Sequence, residues 1–272
     1  MSNPTDDEND REPFKMPSDP NGRRKAKPLS TANVKNAQSN PRKLAREKSQ
    51  SPNRHTQILE VSARLFAEFG FETTSVRQIA DEVKILAGSL YHHFSTKEDI
   101  LHEIIRSTLI QIAHEDERIS HLPVDAEHRL VTTVIMRFHQ YVRDWEALTI
   151  IQHDATFFRR REDFSYVQDS KSHSFRMIES ILKEGMGAGL FHSDIDTYLM
   201  IGTIARLLSS AANWFRRGEI YSSDKPTDYT LDKVIDFHLD CILRMIRSPS
   251  RLNEPIPREK CEMLAMPDGQ PV

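Results

Sequence analysis

Between Thr73 and Phe94 the apolar positions fall into two short helical stripes. Val76, Ile79, Ala80 and Val83 recur at the spacing of one helix face, and Leu90 and Phe94 continue the stripe on a second helix. Hydroxyls, amides and bases fill the positions between them. Upstream, Ile58, Leu59, Ser62, Leu65, Phe66 and Phe69 line one side of a helix predicted over Arg54–Phe69, with Gly70 placed for a left-handed C-terminal cap. Downstream, Ser95 and Glu98 read as a capping box that opens a fourth helix, which carries Ile100, Leu101, Ile104 and Ile105 and runs toward Glu115. Five further helices are predicted: Asp125–Asp144, Glu146–Arg160, Asp163–Met186, Asp194–Arg216 and Asp228–Arg247. Breaks fall at Pro123, at Gly185, Gly187 and Gly189, and in a Gly218–Pro226 loop. Alternating strand-like runs are short, so the fold class is all-α. It comprises an N-terminal helix-turn-helix three-helix domain and a longer C-terminal helical domain.

Composition divides the chain further. Residues 1–50 hold almost no large apolar side chains and read as a disordered tail. Its first twenty residues are acidic. The next thirty are basic, with Arg23, Arg24, Lys25, Lys27, Lys35, Arg42, Lys43, Arg46 and Lys48 against Glu47. That half is either a solvated tail or an arm that reaches DNA backbone or minor groove. A head at 51–106, a body at 107–247 and a flexible tail at 248–272 complete the division. The 272 residues carry a net charge of −3. Cys241, on a late helix, reads as packed and Cys261, in the polar tail, as exposed; two cysteines make no disulfide framework. No apolar run reaches the ~18 residues of a membrane span, and no secretory stretch opens the chain, so a soluble cytoplasmic protein is expected.

A helix-turn-helix needs a first helix laid across phosphates and a second presented to the major groove. Thr74 or Ser75 caps the first helix and sets a hydroxyl and free amides at the positive end of its dipole, which suits a phosphate. Arg77 projects near that cap, and Ser89, Tyr91 and His92 lie on the outer side of the second helix. The run Gly70–Leu101, GFETTSVRQIADEVKILAGSLYHHFSTKEDIL, resembles the N-terminal DNA-binding domain of the tetracycline-repressor (TetR) family of transcriptional regulators. The likeness covers about fifty residues. It implies DNA contacts from Thr74, Arg77, Gly88, Ser89, Tyr91, His92 and Lys97, and Ser75, Lys84 and Ala87 are further candidates on the same surface. Two positions depart from the family pattern: Lys84 stands where the turn usually has Gly, and Leu86 where the recognition helix usually has a Ser or Thr cap. Each departure costs roughly 1 kcal/mol locally.

The resemblance also implies a C-terminal domain that dimerises through its last two long helices and holds an inducer pocket. Ile195–Phe215 is apolar around much of its circumference, and Val234, Ile235, His238, Ile242 and Met245 form a second stripe. Monomer core is the alternative reading of both. Arg206 sits inside the first of these helices, where it must snorkel, pair with an acid such as Asp154, or meet an anionic ligand. Arg159–Arg160–Arg161 reads as an exposed helix end or a phosphate contact. The segments IIQHDA, DFSYV and LKEGMGAGLFHSDID are similar to the group of these regulators that controls steroid and fatty-acid catabolism and answers to coenzyme A thioesters. The ligand-binding candidates are therefore Asp154, Phe157, Phe158, Met177, Arg206, Ser210 and Trp214, with Ile178 and Phe215 as further apolar wall.

The expected function is a homodimeric repressor, released from a palindromic double-stranded operator by a small-molecule effector, for which an acyl-CoA or steroid-derived CoA thioester is the candidate. The alternative is an architectural or adaptor DNA-binding protein without an effector pocket. An enzyme is the third class and lacks support. The pairs His92–His93 and His153–Asp154 point to different helix faces and make no metal site. No Walker loop, dinucleotide glycine pattern or nucleophile elbow occurs, so no cofactor and no metal are expected.

Overall fold

The computed structural model describes residues 54–217 and 229–266. The 1–50 tail, the Gly218–Pro226 loop and the last six residues lie outside them. Eleven α-helices follow in order among the described residues: α1 (Arg54–Phe69), α2 (Val76–Val83), α3 (Ala87–Leu90), α4 (Lys97–Ser120), α5 (Ala126–Arg143), α6 (Trp145–His153), α7 (Ala155–Arg160), α8 (Ser165–Gly187), α9 (Thr197–Arg217), α10 (Leu231–Ile246) and α11 (Arg258–Ala265). One 3-10 turn, Glu162–Phe164, joins α7 to α8, and a second, Pro249–Arg251, follows α10. Extended pairing among these residues is limited to one antiparallel bridge between Phe191 and Arg247.

Local chemistry sets the helix ends. Ser75 caps α2 through a complete capping box with Gln78. Gly70 closes α1 at φ +89°. The capping box of α4 lies one residue later than the Ser95–Glu98 pair expected from sequence. Thr96 accepts from the Asp99 amide at 3.0 Å, and the Asp99 carboxylate accepts from the Thr96 amide at 2.9 Å. Both boxes satisfy the spacing rule; the extended backbone at Thr96 decides between them. The helix expected over Glu146–Arg160 is interrupted at Asp154, which ends α6 and starts α7 without capping α7 through its side chain.

Two apolar cores result. One is built on α5, which α8, α9, α10 and α11 surround; it includes Leu130, Val134, Phe138, Ile181, Leu208, Leu239 and Ile242. Gly185 lets the Phe191 ring close over α8: a Cβ there would meet the ring at 2.1 Å. The second core starts in the head, with Ile58, Phe66, Phe71, Ile79, Leu90, Ile100 and Leu101, and continues through Ile150, Ile151, Phe158, Phe164 and Tyr166.

Over residues 249–266 the chain is not the loose tail expected from its prolines. α11 packs on α5 and buries Cys261 and Ala265. Arg118 of α4 donates to the Leu264 carbonyl at 2.6 Å, a cation at the negative end of the α11 dipole. The expectation of an exposed Cys261 fails too: it is buried, with burial raising its thiol pKa, while Cys241 is half-buried. Arg247 fastens this segment. Its guanidinium donates to both carboxylate oxygens of Glu127, at 2.7 and 3.1 Å, and to the Glu254 and Pro255 carbonyls.

Both members of the Arg247–Glu127 pair are about 3% exposed. Breaking such a pair leaves a buried charge poorly compensated, here Glu127 with only the Arg251 guanidinium, 3.6 Å away. Arg247→Ala is expected to lower unfolding free energy by about 3–5 kcal/mol in urea denaturation, and a loss under about 1 kcal/mol, the range of an exposed pair, would contradict this.

Candidate nucleic-acid interface

The surface formed by the α2 start, the α2–α3 turn and α3 is where the sequence places DNA contacts. Ile79, Ala80, Val83 and Leu90 point into the head core, which turns the intervening side chains outward. Ser75, Arg77, Lys84, Ala87, Gly88, Tyr91 and His92 are exposed, and Ser89 is half-exposed. Arg77 lies 3.9 Å from Asp81 on the same outer face, an exposed pair that leaves it free to turn. Arg64 and Glu82, 2.6 Å apart, tie α1 to α2 behind this surface.

The turn explains how Lys84 replaces glycine. Lys84 has φ 59° and ψ 49°, a positive φ that no other non-glycine among the described residues adopts. Its amide donates to Asp81 O at 3.2 Å and that of Ile85 to Ala80 O at 2.9 Å. These two bonds are the Schellman pair that closes a helix around a left-handed residue. Leu86 then opens α3 with no side-chain cap and is 80% exposed. α3 is one turn long, and further turn bonds, His92 N to Ser89 O and Phe94 N to Leu90 O, carry it to Phe94. Leu86 and His93 both sit on this outer surface; the sequence marked Leu86 only as a missing cap.

Two predicted contacts have other roles. Thr74 is 2% exposed, and its hydroxyl donates to Gly70 O at 2.8 Å, inside the head. The cap hydroxyl belongs to Ser75, so Thr74 is a core residue of the α1–α2 corner. Lys97 turns inward: its ammonium donates to Phe71 O and Thr74 O, each at 2.7 Å, and lies 4.3 Å from the centre of the Phe71 ring. Burial lowers its pKa, opposed by Glu98 and Glu72. It clamps the α1–α2 corner to α4 and does not stand as a free charge at the groove edge.

Comparison with known proteins decides what this surface belongs to. Residues 58–104 match the model of the bacterial regulatory proteins of the tetR family. The chain is 31% identical over 196 residues to the HTH-type transcriptional repressor KstR2 of Rhodococcus jostii, covering 72% of this chain and 92% of that one. The chain belongs to the TetR family. The structure of the ketosteroid transcriptional regulator KstR2 of Mycobacterium tuberculosis superposes with a TM-score of 0.66 at 29% identity, over 73% of this chain and 97% of that one. AibR, solved with isovaleryl coenzyme A and operator DNA, shares the fold at TM-score 0.58 and 20% identity, over 70% of this chain and 97% of that one. The protein is thus a DNA-binding transcriptional regulator of the TetR type and not an enzyme. Among the described residues no helix is long and apolar enough to cross a membrane.

In this TetR regulator the predicted ligand residues do not form one site. Phe157 and Phe158 pack with Phe164 in the core shared with the head, the Phe157 ring 5.1 Å from that of Phe71. Met177, Trp214, Ile178 and Phe215 belong to the core around α5. Arg206 and Ser210 are exposed on α9. The pairing of Arg206 with Asp154 gives way to another arrangement, in which the Asp154 carboxylate accepts from the Phe71 amide at 3.4 Å. Burial raises the Asp154 pKa, and the bond from Phe71 opposes that rise.

Sequence reading missed the polar group inside the body. Arg137 of α5, 9% exposed, donates to fully buried Asp116 of α4, to Gln140 at 2.7 Å and to Ser174 of α8. The available signal was an arginine in the apolar run VTTVIMRFHQYV, the same oddity that singled out Arg206. His102 of α4 stacks on Phe164 at 3.9 Å, with Nδ1 3.1 Å from the Tyr166 hydroxyl and Nε2 3.6 Å from Asp163. Burial holds its pKa below the usual histidine range, against the Asp163 charge.

Tyr91 and Lys97 separate DNA contact from clamp. Tyr91→Ala is expected to weaken operator binding by about 1–3 kcal/mol with melting unchanged. Lys97→Met is expected to lower the melting temperature while the salt dependence of binding keeps its slope; a slope reduced by about one would restore Lys97 as a phosphate contact.

Proposed function

We propose that the protein is a homodimeric, ligand-responsive repressor whose effector is a coenzyme A thioester of a steroid-derived or fatty acyl group. The observation that carries the operator-binding part is the outward set Arg77, Lys84, Leu86, Gly88, Tyr91 and His92 on a head with a family-model match. Arg77 and Lys84 supply charge for phosphates, Gly88 leaves room for close backbone approach, and Leu86 suits a thymine methyl. The α2 N-terminus, with Ser75 at its cap, presents free amides to a phosphate. The basic stretch Arg23–Lys48 would add affinity through the same phosphates.

Dimerisation is supported by what α9 and α10 leave outside. Tyr198, Leu199 and Phe237 are large, apolar and exposed. Gly202, also exposed, permits close approach of a second helix to α9. A second copy of these two helices would cover them in a two-fold four-helix arrangement.

The effector class rests on similarity to KstR2, a ketosteroid transcriptional regulator, and on the fold shared with AibR, solved with isovaleryl coenzyme A. Inside the body, the Asp116–Arg137–Ser174 group joins α4, α5 and α8, so a ligand that spreads these helices would move α4 and with it the head. The test is an operator shift with DNA flanking the protein's own gene. Micromolar steroid-derived or acyl-CoA thioesters are expected to reduce operator affinity about 5- to 150-fold, the usual span of allosteric coupling. Free coenzyme A alone should leave it unchanged. Loss of shift with no thioester in such a panel would remove the effector assignment; failure to bind duplex at all would remove the repressor.

A further inference from the structure

Phe71 sits in the corner between α1 and α2 and is held from three directions. Its ring meets Phe66 of α1 edge-on at 5.1 Å and Phe157 of α7 at 5.1 Å. Its carbonyl takes the Lys97 ammonium from α4 at 2.7 Å. Its amide points across to the α6–α7 break, where Asp154 Oδ2 accepts it at 3.4 Å. The corner continues through Thr74, whose carbonyl Lys97 also holds, into the Ser75 cap of α2.

Asp154 has an ordinary use that it forgoes. It occupies the N-cap position of α7, where an aspartate normally accepts an amide of its own first turn. The first turn of α7 receives no side-chain cap bond from it. The carboxylate is spent instead on a peptide 83 residues earlier, at the cost of partial burial. At 3.4 Å the bond is longer than a fully formed N–H···O contact. A small shift of the break therefore tightens it or opens it.

We propose that Asp154 is a positioning residue for the DNA-binding head. It holds the Phe71 peptide, through it the Lys97 clamp and the start of α2, and so converts movement of the α6–α7 break into movement of the operator-reading surface. This route enters the corner at the Phe71 peptide directly from the α6–α7 break and meets α4 only at its first residue, Lys97. The change in operator affinity rests on the repressor reading above; the local effect on the corner does not.

The experiment compares full-length wild type, Asp154→Ala and Asp154→Asn by amide hydrogen exchange and by binding to duplex from beside the protein's own gene. Alanine removes the acceptor; asparagine keeps an oxygen in its place. Asp154→Ala is expected to raise exchange in residues 71–76 about tenfold, with α9 and α10 peptides unchanged, as a local opening does. It should also weaken operator binding about tenfold, within the range of inter-site coupling. Asp154→Asn should stay near wild type in both. Unchanged exchange at 71–76 in the alanine variant would overturn the proposal. So would exchange raised throughout the body, which marks a general packing role, or an asparagine variant as impaired as alanine. If wild type binds no duplex, the repressor reading fails while the exchange result still decides the role of Asp154.

Discussion

The aromatic cluster of Phe66, Phe71, Phe157, Phe158 and Phe164 joins the operator-reading head to the body, and the rest of the structure depends on it. Successive rings lie 5.1–5.5 Å apart in edge-on or tilted pairs. Each such pair contributes about 0.5–1.5 kcal/mol beyond its buried area. Together with Ile79, Leu90, Ile100, Ile150 and Ile151 they form one continuous core. A three-helix head of this size is marginal by itself. By sharing its core with α6, α7 and the start of α8, the head gains stability and loses independence. Packed cores switch between discrete arrangements and do not flex continuously. A rearrangement of α6 or α7 is therefore felt at α2 and α3.

Polar contacts give this shared core its directions. Lys97 and Asp154 hold opposite ends of the Phe71 peptide. Asp116–Arg137 binds α4 to α5 deep in the body. Buried ion pairs of this kind add little net stability, yet they penalise any state that separates them. That property suits a regulator: the pair resists small displacements of α4 against α5. The Arg247–Glu127 pair and the Arg118 cap on α11 work at the far end, where they hold the C-terminal segment against α5.

Local signals made the head readable from sequence. The 3.6-residue period, the Ser75 cap and the Gly70 stop are written in adjacent residues, and α1 ends at Phe69 as predicted. Lys84 was legible as an anomaly, and the Schellman bonds show how the backbone accommodates it. What depends on distant residues was not legible. Whether Thr74 or Ser75 faces outward is set by Leu65 and Gly70, whose carbonyls lie near the Thr74 hydroxyl. Lys97 reads as a surface charge until the Phe71 and Thr74 carbonyls are brought to it from more than twenty residues away. The ligand candidates were chosen by residue type along separate helices, and folding assigned Phe157 and Phe158 to one core and Met177 and Trp214 to the other. α11 escaped notice because prolines around it mask a helix of eight residues.

The central claim is that paired copies of the Arg77–His92 surface enter successive major grooves. Methylation interference on the DNA beside the protein's own gene tests it most directly, because guanine N7 lies in that groove. Two clusters of interfering guanines are predicted, on one face of the duplex and about one helical turn or a small multiple apart. Binding that persists with every guanine methylated, or interference confined to minor-groove modification, would contradict the account.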